Sequence, residues 1–199
     1  MLKIKKVAVT GGLAAGKTTI CQIFKELGAY VVSADEIVHQ LLSPGTATAQ
    51  QVINLLGSDI ISGNELDRRK IAAKVFSQSG FLTALEKIIH PAVFDEIERR
   101  YQQVSQEKKH PLFIAEIPLL YEAGGEERFD SVISVLAALD VCRNRFVEQT
   151  RNPAQEFEKR MNRQIPPEHK AARAQYTIEN NGTLEQLRHI VKNLYSQLT

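Results

Sequence analysis

Cysteine is scarce: Cys21 and Cys142 are the only two in 199 residues. They are too few for a disulfide framework or a zinc cage, and they do not form a C-x-x-C pair. Both are expected as small core residues in a reducing compartment. Long apolar runs are also missing, since no segment approaches the roughly 20 residues that span a bilayer. Lys3, Lys5 and Lys6 precede small apolar residues, as at a signal peptide, but Gly11-Gly12 and Lys17 interrupt the run too early. A cytoplasmic location without a membrane partner is therefore expected. Charge of one sign is lacking as well: Lys and Arg total 25 against 23 Asp and Glu, a net charge of +2. That balance argues against a dedicated nucleic-acid binder.

What remains has a globular composition, 43% hydrophobic and 24% charged, which excludes wholesale disorder. Strands are predicted over 4–10, 30–33, 111–117, 131–136 and 176–179. Helices are predicted over 18–27, ending at Gly28, over 35–42 and over 184–198. Between 46 and 109 the pattern is helical almost throughout, with one helix over 68–76 and a longer one interrupted at His90-Pro91, where proline must kink or restart it. Strands alternating with helices predict an α/β fold with a five-stranded, mainly parallel sheet between helical layers. The expected organisation is a single domain over 1–199, with core segments 1–45, 111–138 and 174–199. A helical insertion, 46–110, and a small arginine-rich helical region, 139–173, interrupt that core.

Gly11-Gly12-Leu13-Ala14-Ala15-Gly16-Lys17-Thr18 fits the pattern G-x-x-x-x-G-K-[ST], followed by Thr19. It follows a predicted strand and opens a predicted helix, as the motif requires. Glycines let the backbone wrap a phosphate with its N–H groups, and the helix N-terminus adds its positive end. Lys17 would reach the β- and γ-phosphates, and Thr18 would hold Mg²⁺ through its hydroxyl. The chain is thus expected to bind a nucleoside triphosphate. No D-x-x-G or N-K-x-D occurs, which excludes a GTPase. A large ATPase motor would need more chain and a hydrophobic strand ending in Asp, whereas Glu116 ends the third strand. A short chain with a helical insertion and an arginine-rich segment suits a small-molecule kinase, the insertion holding the acceptor and the arginine segment closing as a lid.

Asp35, just past the second strand, is expected at the carboxyl edge of the sheet, where open parallel sheets bind ligands. It is either the base that accepts a proton from an attacking hydroxyl or the N-cap of the next helix. Arg145 and Arg151 are the lid candidates among several arginines, some of which are expected as surface ion-pair partners. Asn181-Gly182 is either an adenine contact or a plain turn.

Taken together, Val9-Thr10-Gly11-Gly12, Gly16-Lys17-Thr18-Thr19, Ala34-Asp35-Glu36-Ile37, Leu66-Asp67-Arg68, His90-Pro91, Ile117-Pro118-Leu119-Leu120-Tyr121-Glu122, Gln164 and Asn180-Asn181-Gly182 resemble the dephospho-CoA kinase family. The resemblance runs through the whole chain in order. It implies a P-loop kinase fold, ATP with Mg²⁺ as phosphoryl donor, and transfer to the ribose 3′-hydroxyl of dephospho-CoA, the last step of CoA biosynthesis. It further implies that Asp35 is the base, that Arg68 and His90 help form the acceptor pocket, and that lid arginines neutralise charge on the transferred group. The chain departs from the family pattern at Ser33, where Asp is usual, at Ala14-Ala15, at Gln149 and at Gln175. A kinase of a nucleoside monophosphate or other small metabolite, and an inactive nucleotide-binding protein, are the alternative readings.

Overall fold

The structure is a computed structural model that describes residues 4–77 and 80–199; Lys3 lies outside them. Strand β1 (Lys5–Gly11) is buried from Lys6 onward, as its apolar sequence requires of a strand covered on both faces. Helix α1 (Lys17–Glu26) follows it directly and buries Ile20, Cys21, Ile23 and Phe24, one stripe at helical spacing. Leu27 caps it, and Gly28 follows at φ 104°, the left-handed conformation that commonly stops helices. Strand β2 (Tyr30–Ser33) leads into helix α2 (Ala34–Leu41).

Helix α3 (Ala47–Leu56), a two-residue hairpin of β3 (Ile61–Ser62) and β4 (Glu65–Leu66), and helix α4 (Arg68–Ser77) come next. The hairpin lies in a stretch expected to be helical. Gly63 takes a positive φ of 62° at the first of its two turn residues, the position where tight hairpins favour glycine. Helix α5 (Phe81–Glu107) runs through Pro91 without the expected interruption. Its buried residues Val93, Phe94, Ile97, Tyr101 and Val104 continue at helical spacing beyond the proline. Tertiary burial along that stripe outweighs the one backbone hydrogen bond that proline removes.

Strands β5 (Leu112–Glu116), β6 (Ser131–Leu136) and β7 (Tyr176–Glu179) complete the main sheet. Its order is β2-β5-β1-β6-β7, and every neighbouring pair is parallel. Helices α6 (Leu139–Thr150), α7 (Ala154–Met161) and α8 (Pro167–Arg173) occupy the arginine-rich region. Helix α9 (Leu184–Leu198) closes the chain. Thr183 and Gln186 form a capping box at its start, and Leu187, Val191, Leu194 and Leu198 are buried along one face.

The chain divides into two compact units, Met1–Ser33 with Tyr101–Thr199, and Ala34–Arg100. The first has its core between β1, α1, β6 and α9, around Val9, Phe24, Ile133 and Val191. The second has a smaller core of Val52, Leu56, Ile60, Ile71 and Val75. The second unit thus begins and ends earlier than the expected insertion 46–110, and the region 139–173 falls within the first. No helix among the described residues is long and apolar enough to cross a membrane.

Candidate active site

In the first unit, the loop between β1 and α1 has the backbone of a phosphate cradle. Gly11 (φ 136°) and Gly16 (φ 99°) both take conformations that disfavour side chains. A Cβ on Gly11 would lie 2.2 Å from the Val135 carbonyl oxygen, and one on Gly16 would lie 2.2 Å from Asn180 Nδ2. Gly16 is also the N-cap of α1, and no side chain caps that helix end. The first N–H groups of the helix are therefore left for an anion. Gly12 donates to Val135 O at 3.2 Å, Ala15 to Gly12 O at 3.3 Å. Of the variable positions, Leu13 and Ala14 pack against the core and Ala15 is fully buried, while Thr19 is exposed on α1.

Lys17 is 8% exposed. Its Nζ donates to Gly12 O at 2.7 Å and Gly11 O at 3.4 Å, so the ammonium lies on the loop's own carbonyls. Thr18 Oγ1 donates to Glu116 Oε1 at 2.8 Å, joining the helix start to the carboxyl end of β5. Behind them Cys21 is buried, and its thiol is pushed well above the usual range, first by burial and then by the Glu116 carboxylate. It stays protonated at neutral pH.

From the other side of β1, Asn180 Nδ2 donates to Ala15 O at 2.8 Å and its backbone N–H to Leu136 O. Arg145 on α6 reaches the same place, donating to Asn180 O at 3.1 Å and Ala15 O at 3.5 Å. Asn181 Oδ1 accepts the Ala138 N–H at 2.7 Å, and Gly182 begins the approach to α9. Arg151 is not brought to the loop by these contacts. It is exposed, in a left-handed conformation, at the C-cap of α6.

Sequence reasoning missed Lys170. Its side chain is fully buried, with Nζ 2.8 Å from Glu122 Oε1 and 2.9 Å from Pro118 O. A buried ammonium is tolerable only when paired, and removing one partner of such a pair costs about 3–5 kcal/mol. No local signal marks this lysine; strand β6 and helices α6 and α7 separate it in sequence from Glu122.

In the second unit, Asp67 Oδ1 accepts the backbone N–H groups of Arg69 and Lys70 at 2.8 and 3.3 Å, capping α4. Those N–H groups hold its carboxyl below the usual range. The cap fixes Arg68 at the start of the helix, where its NH2 lies 2.5 Å from His39 Nδ1. Asp35, Glu36, His39, Gln40 and Arg68 line one open depression, so two expected acceptor-site residues, Asp35 and Arg68, come together. Asp35 lies inside the first turn of α2, exposed, rather than at its N-cap. His90 is half-buried on α5 and is not among the residues lining that depression.

Superposition gives the class first. The chain matches shikimate kinase from Acinetobacter baumannii with a TM-score of 0.53 over 98% of this chain and 93% of that one, at 14% identity. With the phosphate loop after the central strand of a parallel sheet, this is the fold of a P-loop kinase. Sequence narrows the class further. The profile of dephospho-CoA kinases matches residues 5–186, and the chain belongs to the dephospho-CoA kinase family. A dephospho-CoA kinase from Protochlamydia amoebophila is 50% identical over all of this chain and 98% of its own. One from Chlamydia pneumoniae is 47% identical at the same coverage. Protein TT1252 from Thermus thermophilus superposes with a TM-score of 0.81 over 97% of both chains, at 30% identity.

Proposed function

We propose that the chain transfers the γ-phosphate of ATP to the ribose 3′-hydroxyl of dephospho-CoA, giving CoA and ADP. The observation that carries this reading is the phosphate loop, with Lys17 on its carbonyls and Thr18 on Glu116, in a chain that its family matches over nearly full length. The loop N–H groups and the start of α1 hold the phosphates, and Lys17 swings from Gly12 O to the transferring group. Arg145, already beside the loop, adds charge where negative charge develops. Asp35 takes the proton of the attacking hydroxyl, and Arg68 binds an anionic part of the acceptor. The helical insertion with His90 forms the acceptor pocket, the arginine-rich region acts as the lid, and Arg151 serves there only if the lid rearranges. The reading includes a cytoplasmic location and small-molecule substrates alone.

Thr18 and Glu116 fit Mg²⁺. By donating its proton to Glu116, Thr18 leaves the lone pairs of Oγ1 for a cation, and the carboxylate supplies the negative charge that a hard, oxygen-liganded ion requires. When bound, Mg²⁺ neutralises charge on the phosphates and orients them. Glu116→Gln keeps an acceptor for Thr18 but loses the charge. It is expected to raise the Mg²⁺ concentration for half-maximal rate about 10-fold or more, measured by Mg²⁺ titration at fixed ATP. An unchanged midpoint would remove Glu116 from the cation site.

The reaction is tested by mass spectrometry of products from ATP, Mg²⁺ and equal amounts of dephospho-CoA, AMP, CMP and UMP. CoA as the sole phosphorylated product is expected. Phosphorylation of a nucleotide instead would overturn the acceptor, and ATP binding without product would overturn the enzymatic reading.

A further inference from the structure

The Lys170 pair does more than bury a charge safely. Lys170 Nζ contacts Pro118 O and Glu122 Oε1, and each of these acceptors holds a second donor. Thr10 Oγ1, one residue before the phosphate loop, also donates to Pro118 O at 3.2 Å. The Ile165 backbone N–H, on the segment that returns from α7, also donates to Glu122 Oε1 at 3.0 Å. Pro118 lies two residues past Glu116, the partner of Thr18. Three residues before Lys170, the Pro167 ring sits over the loop, with Cγ 3.1 Å from where a Cβ on Gly12 would stand. One ammonium thus ties together the entry of the phosphate loop, the carboxylate end of β5 and the foot of the arginine-rich region. Glu122 Oε2 is buried without a hydrogen-bond partner among the described residues, so the pair gives up some polar satisfaction to keep this arrangement.

We infer that Lys170 is a positioning residue for phosphoryl transfer: through Pro118 and Glu122 it holds the segment 163–170 against the phosphate loop. The inference rests on the proposed reaction for its kinetic consequence only. A geometric tether and a merely matched buried charge make different predictions. Lys170→Met strands the Glu122 carboxylate, whereas the double variant Lys170→Met/Glu122→Gln strands no charge yet still lacks the tether.

Wild type, both single variants and the double variant are compared for kcat, KM for ATP, ATP hydrolysis without acceptor, thermal midpoint and amide hydrogen exchange. Lys170→Met is expected to lose about 100-fold in kcat, as small misplacements near reacting groups do, with KM for ATP within about threefold. Hydrolysis rises relative to transfer, because a loosened foot admits water. Exchange accelerates about tenfold or more in residues 163–170 but not in α9. The double variant regains the thermal midpoint and not kcat. Recovery of both would reduce the pair to a matched buried charge and overturn the inference, as would wild-type kcat and exchange in Lys170→Met. If that single variant fails to fold, the double variant decides by the same comparison. Should wild type make no CoA, the proposed reaction falls, while the exchange of residues 163–170 still judges the tether.

Discussion

Lys17→Ala is expected to lower kcat by about 10²–10³-fold, the usual consequence of removing one preorganised charge from a developing anion. In the structure Lys17 Nζ is held by Gly12 O and Gly11 O, a pose that keeps the charge at the loop mouth. The loop's shape does not rest on that ammonium alone, because the Gly12 N–H donates to Val135 O and Ala15 O accepts from Asn180 Nδ2. Alanine is also the best helix former at the first position of α1. ATP affinity should therefore fall less than turnover, since the backbone N–H groups still bind the phosphates. Lys17→Arg should not rescue the rate, because a planar guanidinium does not fit where a compact ammonium reaches. Steady-state kinetics with calorimetric ATP binding checks this. A kcat within tenfold of wild type in Lys17→Ala would show that the charge is supplied from elsewhere, with Arg145 the nearest alternative by its contacts to Ala15 O and Asn180 O.

How much of this could be seen in the sequence follows from how local each feature is. The phosphate loop is contiguous, so strand, turn glycines and helix start appear as one pattern within 5–26, and the five strands themselves show as apolar segments alternating with helices, although their order in the sheet does not. The residues that brace the loop are not contiguous with it. Asn180 is 165 residues from Ala15, Arg145 130, and Lys170 52 from Pro118, distances at which no spacing rule operates. Arg145 and Arg151 illustrate the limit. Six residues apart, they cannot share a helix face at 3.6 residues per turn, and arginine density alone does not reveal which phase faces the loop. Pro91 shows the converse error: the local rule against proline in helices is sound, but partly buried residues before it and a buried stripe from Val93 onward decide otherwise. For Asp35, the neighbours in sequence suit both a helix cap and a base. The helix begins at Ala34, and that shift puts Asp35 in the first turn instead of at the cap.

That shift gives the second large effect its clean interpretation. Asp35→Asn is expected to lower kcat by about 10²–10⁴-fold, the range for loss of a general base, with ATP affinity and thermal midpoint nearly unchanged. As an exposed residue in the first turn of α2, Asp35 contributes to stability through the helix dipole, a small effect at an exposed site. Asparagine is nearly isosteric, so the depression shared with His39 and Arg68 keeps its shape and the acceptor still binds. A loss of rate then reports the missing proton acceptor rather than a misfolded or empty site. The discriminating measurement is the split between kcat and KM for dephospho-CoA. A kcat loss at constant KM assigns Asp35 to the chemical step, whereas a raised KM at constant kcat assigns it to acceptor binding beside Arg68. Turnover of Asp35→Asn within a few fold of wild type would deny it the role of base. The hydroxyl proton would then have to leave through the phosphoryl oxygens themselves, which the loose transition state of phosphoryl transfer permits.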